Sequence, residues 1–284
     1  MVANNAVTTS VADTLKKNVN SNSDPSWIIH HVMDSNYVDF GPLGKLYLPH
    51  IQVFGLDVSI TRDIFMLWVA AGVLIIIGIL AARGYKKSFI PKGISNIFEI
   101  LIEFVREEIV KPAIGKGYEG YMPYMLTLFF FVLLCNLFGL IPMPNLVVAT
   151  GNVMVTAALA LISFVVIQYS GIKSHGFIGY FKSLVPSGIP VWILPIMVIL
   201  ETLGLFTKPF ALCVRLFANM IAGHIVIFSL IGLIFIMHTI YVAPVSVGFT
   251  LFIELLELLV AFIQAYIFTM LTALFIGMAK SSEH

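Results

Sequence analysis

Apolar residues fill this chain in five long blocks, separated by short polar stretches. A membrane-crossing helix needs about 20 apolar residues. Ile64–Ala82, Tyr121–Ile141 and Val153–Tyr169 have that length. Val191–Met237 and Val245–Ala279 are each too long for one upright helix, so each must tilt strongly, lie partly flat or break. No internal repeat is visible, which counts against an inverted-repeat transporter.

Between the first two blocks the period changes. In "GISNIFEILIEFVREEIVKPAIGKGYEG", Ile94, Ile97, Phe98, Leu101, Phe104, Val105 and Ile109 recur at helical spacing, while Glu99, Glu103, Arg106, Glu107 and Glu108 occupy the rest. The pattern predicts an amphipathic helix on the cytoplasmic membrane surface, either as a support or as a partner-binding element. At the start, "MVANNAVTTSVADTLKKNVNSNSDPSW" lacks the apolar core of about 7–15 residues that a secretory signal requires. Its Asn, Ser and Thr content predicts a mobile tail. "GKLYLPHIQVFGLDVSITRD" alternates loosely, the pattern of short strands at the membrane surface. The expected division is an outer N-terminal segment, 1–62, and a polytopic transmembrane domain, 63–284.

Composition agrees. The chain is 59% hydrophobic and only 11% charged, against about 25% charged in a soluble domain. Its net charge of +1 gives no nucleic-acid signature. Cys135 and Cys213 lie inside apolar runs and read as small hydrophobes, with no disulfide or metal pattern. The cations set an orientation. Arg83, Lys86, Lys87 and Lys92 follow the first block, Lys173 and Lys182 the third, and Lys280 the last. The loops Pro142–Gly151 and His238–Gly248 hold no Lys or Arg. Five crossings then leave the N-terminus outside and the C-terminus in the cytoplasm, with Arg62 and Lys45 running against the trend.

The polar residues inside the apolar blocks carry the chemistry. An arginine at mid-membrane costs about 2.5–3.5 kcal/mol on insertion scales. Glu201, Lys208 and Arg215 are spaced by seven, so they share one helical stripe, and Asn219 joins it four residues on. His224 lies about half a turn round from Arg215 and about 13 Å along the axis. The last block has its own stripe of Glu257 and Gln264, with Glu254 one turn earlier. If the two long helices form an antiparallel hairpin, Arg215 with Gln264 and His224 with Glu257 share a midpoint near residue 240. That register puts Gln264 beside Arg215 at mid-membrane and Glu257 beside His224 nearer the outer mouth. Plainer roles stand next to these. Arg215 could be held by carbonyls or Glu201, and His224 with Glu257 could be a static buried pair. Lys208 could only snorkel, with Glu201 neutralising it or lining an exit. His30, His31 and His50 read as solvated surface. Histidine, however, titrates near neutrality, and a carboxylate beside it makes a relay.

"KPFALCVRLFANMIAGH" followed by "QAYIFTMLTALFI", with "CNLFGLIPM" and the terminal "MAKSSEH", resembles the subunit a family of F-type ATP synthases from about Ser26 to the end. The resemblance implies an all-α membrane protein in the bacterial plasma (inner) membrane, a non-catalytic, proton-translocating part of the synthase with no cofactor and no metal. Its implied partners are a ring of c subunits, peripheral-stalk b subunits and lipid. Arg215 matches the arginine that faces the ring. Asn219, His224, Glu257 and Gln264 match polar positions of the outer inlet half-channel, Glu201 an acidic position of the cytoplasmic half-channel, and Asn136 a polar residue of the second span. Many members carry an acid where His224 stands and a histidine where Glu257 stands. Some carry an aspartate in place of Gly139. Glu254 has no counterpart.

The physics fits these roles. An arginine keeps its proton and cannot be a relay, but it drives a nearby carboxylate to ionise. Ring carboxylates passing it would release protons to one half-channel and reload from the other. Each proton crossing 100 mV releases about 2.3 kcal/mol. The alternative is a self-contained secondary cation transporter or channel. A central arginine would repel its ion unless a mobile carboxylate met it. A purely structural scaffold would leave both polar stripes without a purpose.

Overall fold

The computed structural model describes residues 37–39, 45–47, 52–53, 56–57, 61–87, 94–140, 149–177, 179–180, 194–237 and 240–281. The expected mobile tail and His30, His31 and His50 fall outside them. Two short antiparallel hairpins open the described part: β1 (Tyr37–Asp39) pairs with β2 (Lys45–Tyr47), and β3 (Gln52–Val53) with β4 (Leu56–Asp57). The loose alternation in this region thus reports strands.

Beyond them the described elements are helical: α1 (Arg62–Lys87), α2 (Ile94–Phe104), α3 (Lys111–Ile114), α4 (Met122–Gly139), α5 (Val153–His175), α6 (Leu194–Met237) and α7 (Ala243–Lys280). Among the described residues, five helical stretches are long and apolar enough to cross a membrane: Arg62–Arg83, Tyr118–Gly139, Val153–His175, Ile196–Ile234 and Ala243–Lys280. These are the five blocks of the sequence. The 44 residues of α6 would run about 66 Å if straight, twice the hydrocarbon thickness of about 30 Å. The helix nevertheless continues through Pro209, which removes one backbone hydrogen bond in its middle.

Helix α7 is the axis of the bundle, packing against α4, α5, α6 and α3. Its buried side runs Ala261, Ala265, Phe268, Thr272 and Ile276, a stripe of small residues punctuated by a few large ones. Small side chains let helices approach closely where no water drives association. The Thr269 and Thr272 hydroxyls donate to their own helix, to the carbonyls of Ala265 and Phe268 at 2.8 Å each. Helices α4 and α5 lie antiparallel, tied by Tyr121–Ser170 at 2.7 Å and Tyr124–Ser163 at 3.0 Å between hydroxyls.

The amphipathic segment forms the expected helix, and its apolar stripe divides between the core and the outer surface. Phe98, Leu101 and Phe104 pack on the core, Phe98 stacking on Phe130 at 5.0 Å, but Ile97 and Ile100 are 59% and 58% exposed. Past α2 the chain takes a wide π turn over Val105–Val110, where the Lys111 N–H donates to the Arg106 carbonyl. The extra residue in that turn lets Val105, Ile109 and Val110 all point inward, fully buried. At its end the segment meets the end of α7: a Cβ on Gly277 would collide with the Ala113 carbonyl, and Lys280 Nζ donates to the Lys116 carbonyl at 2.8 Å.

Candidate functional site

The two long helices form the expected hairpin in the expected register. Glu257 of α7 fills the space opposite Gly223 of α6, and a Cβ on Gly223 would strike its carboxylate. Farther down, Lys208 Nζ sits 5.1 Å from the centre of the Phe275 ring. Both pairs have a midpoint near residue 240, as the sequence requires. Lys208 is therefore engaged with an aromatic face of the facing helix, a favourable seat for a cation.

Glu257 and His224 consequently stand at one depth. Each presents a buried atom without a hydrogen-bond partner among the described residues, Glu257 Oε1 and His224 Nε2. The imidazole stacks against Phe228, with ring centroids 6.1 Å apart. No hydrogen bond joins the two orphaned atoms. Glu254, half-buried, lies one turn away on α7. Gly223 is the residue the sequence reading passed over. Its signal was available: it is the small residue at the hairpin depth of a large acid.

Arg215 and Gln264 do not pair in the same way. Gln264 is buried in the bundle, 5% exposed, whereas Arg215 lies on the open side of α6. The buried stripe of α6 is Leu212, Leu216, Met220 and Ile227. Arg215 is one residue before Leu216, so it points about 100° away from that stripe. It keeps company with exposed Phe206, Phe210 and Val214, and with exposed Ala211, Ala218 and Ala222. A cation thus projects from an apolar, small-residue face of a membrane-crossing helix. Asn219 is half-buried one turn beyond. Glu201 is half-buried near the opposite end of α6 from His224.

Asn136 is completely buried and held at both ends: its Nδ2 donates to the Ala261 carbonyl at 3.4 Å, and its Oδ1 accepts from the Thr150 hydroxyl at 3.0 Å. This geometry braces α4 against α7. At the same end, Asn152 Nδ2 donates to Asp63 at 2.7 Å while Asn152 Oδ1 caps the first turn of α5 through the Met154 N–H. Asp63 and Asn152 stand outside apolar blocks, and nothing in the spacing pointed to their pairing.

The profile of the ATP synthase A chain family matches residues 64–277, nearly the whole helical part. The chain belongs to that family. It is 54% identical over 259 residues to ATP synthase subunit a of Chloroherpeton thalassium, covering 90% of this chain and 77% of that protein. ATP synthase subunit a 2 of Chlorobaculum tepidum is 50% identical over 259 residues, 89% of this chain and 72% of the relative. ATP synthase subunit a of Myxococcus xanthus is 51% identical over 240 residues, 84% and 78%. With five membrane-spanning helices, the chain is a multi-pass membrane protein of that family.

Proposed function

We propose that this chain is the stator subunit of a rotary ATP synthase that guides protons to and from a rotating ring of c subunits and converts their passage into rotation. It catalyses no bond-making step itself. The observation that carries this reading is the exposed Arg215 on an apolar, small-residue face of α6, beside a hairpin whose interior holds two unbonded buried polar atoms. An exposed cation at membrane depth needs a partner from outside the chain. A carboxylate on a c ring supplies one, and the fixed positive charge strips it of its proton. A self-contained transporter would enclose such a charge.

In this reading the orphaned His224 and Glu257, with Asn219, Gln264 and Glu254, form the inlet from the outer side. Unbonded polar atoms buried in a membrane cost several kcal/mol and are relieved by water or a passing proton. Asn136 braces the inlet wall, and Glu201 opens the cytoplasmic limb. Lys111, Lys116, Lys173 and Lys280 gather at the end of the bundle that carries α2 and α3, so that end is cytoplasmic and the N-terminus lies outside. Peripheral-stalk b subunits would hold the chain still, in the bacterial plasma (inner) membrane.

Reconstitution tests this. The chain alone should conduct few protons, and the complex with its ring should pump them on ATP addition. Arg215→Lys should stop coupled pumping, because a flexible point charge loses the fixed fork of guanidinium donors and can itself give up a proton when buried. Wild-type pumping by Arg215→Lys complexes would sink the reading.

A further inference from the structure

Beyond His175 the chain reverses at Gly176, whose φ of 74° suits glycine, and comes back over α5. The return is fixed by the Tyr180 N–H donating to the Gly176 carbonyl at 2.9 Å. It delivers Tyr180 into a notch where Gly171 lacks a side chain, and a Cβ there would collide with the tyrosine ring. The ring is buried, 5% exposed, although the segment lies outside every membrane-crossing stretch. Its hydroxyl donates to Gln168 Oε1 at 2.7 Å. The other end of that amide, Nε2, is buried with no hydrogen-bond partner. Reversing the amide would only move the orphan to the oxygen, so one end stays unbonded in either orientation.

The third member is Glu201. Burial pushes the Tyr180 phenol above the ordinary tyrosine value, the bond to Gln168 opposes this, and the negative charge of Glu201 on α6 raises it further. The phenol therefore remains protonated at neutral pH. Geometry brings Glu201 to the same level: α5 and α6 run antiparallel, with Thr156 meeting Cys213 at 3.4 Å and Phe164 packing on Phe206 at 5.9 Å between ring centroids, and that register sets Glu201 opposite Gln168. A phenol and an amide each donate and accept, and an unbonded buried amide end is a seat for water.

We propose that Tyr180 and Gln168 are positioning residues of the cytoplasmic limb of the path, holding the water through which Glu201 exchanges its proton with the cytoplasm. The proton leaves the carboxyl for the water, the water passes one to the next, and neither the phenol nor the amide changes charge. This rests on the stator reading above.

The test uses the assembled complex in inverted membranes, reading ATP-driven acidification and co-purification of the subunits. Tyr180→Phe keeps the ring in its notch and removes only the hydroxyl, and Gln168→Met keeps the bulk and removes the amide. Each should slow pumping about two- to tenfold, the worth of one hydrogen bond, with the double variant no slower than either single one. Gln168→Glu, which still accepts from the Tyr180 hydroxyl and from water, should recover most of the rate; a packing role would be spared equally by both replacements. Wild-type rates in Tyr180→Phe and Gln168→Met would overturn the proposal, as would Gln168→Glu pumping no faster than Gln168→Met. If Gln168→Met fails to assemble, Tyr180→Phe decides alone. An inactive Arg215→Lys control shows that such a result removes only this proposal; an active one removes the stator reading itself.

Discussion

The two ends of α7 treat buried polar groups in opposite ways. Toward its C-terminus the buried threonines and the terminal lysine are bonded. Thr269 and Thr272 bond their own helix, Ala261 receives Asn136, and Lys280 reaches the Lys116 carbonyl. Small residues there allow contact as close as Gly277 against Ala113. Toward its N-terminus Glu257 carries an unbonded buried oxygen opposite Gly223, at the depth of an equally unbonded His224 nitrogen, while Leu251, Leu255 and Leu258 are exposed around it. Both regions are apolar with occasional polar residues. What separates scaffold from path is whether the polar atoms have partners. In hydrocarbon, an orphan is too costly to survive without a purpose.

The largest effect is expected where two orphans share a depth. His224→Ala and Glu257→Ala should each slow ATP-driven pumping at least about tenfold, in line with the loss of a positioned proton-transfer group. The exchange His224→Glu with Glu257→His should recover much of it. Gly223 leaves the space opposite position 257 that the Glu257 carboxylate fills, and the exchanged imidazole would take that place. A double-mutant cycle over all four forms should show strong coupling. Losses that add, with no recovery on exchange, would mean that sharing a depth does not make these residues one unit.

A smaller effect sharpens the contrast from the scaffold side. Asn136→Leu keeps the volume but strands the Thr150 hydroxyl, costing about 1–3 kcal/mol of stability. Complexes that still assemble should pump near the wild-type rate. A severe pumping loss in fully assembled complexes would return Asn136 to the path.

These residues also show how far the sequence could be read. The hairpin register was legible because antiparallel helices at 1.5 Å per residue leave one free parameter, and two polar pairs agreed on it. The same arithmetic gives depth but not direction. It placed Gln264 level with Arg215, yet only the packing of Leu212 and Leu216 shows that the arginine turns outward. Asn136 entered through the resemblance alone, and its bonds to Thr150 and Ala261 carry no signal in the spacing. Ile97 lies on the apolar stripe, but spacing alone does not tell which of its residues meet the bundle and which the outer surface. Tyr180 and Gln168 meet through a chain reversal at Gly176 that carries no periodic signal.

The smallest effect belongs to an acid that is fully partnered and exposed. Glu107 accepts from Lys111 Nζ at 2.7 Å and from Arg106 Nε at 3.0 Å. The Lys111 bond first, and the Arg106 bond second, hold its carboxyl below the usual 4.5. A carboxyl whose pKa is depressed by folding stabilises the fold at neutral pH, and that contribution fades as the pH falls below 4.5 and through the lower folded value. Solvent and salt screen a pair this exposed, so little is at stake even at neutral pH. Glu107→Gln should leave pumping intact. It should lower the unfolding midpoint marginally at about pH 7 in low salt, and not at all near pH 3 or in about 1 M salt, where charges are screened within about 3 Å. Side-by-side melting curves at the two pH values measure this. A pumping loss comparable to that of Glu257→Ala would break the comparison at its root, since a carboxylate with every bond made would then matter as much as one with a bond missing.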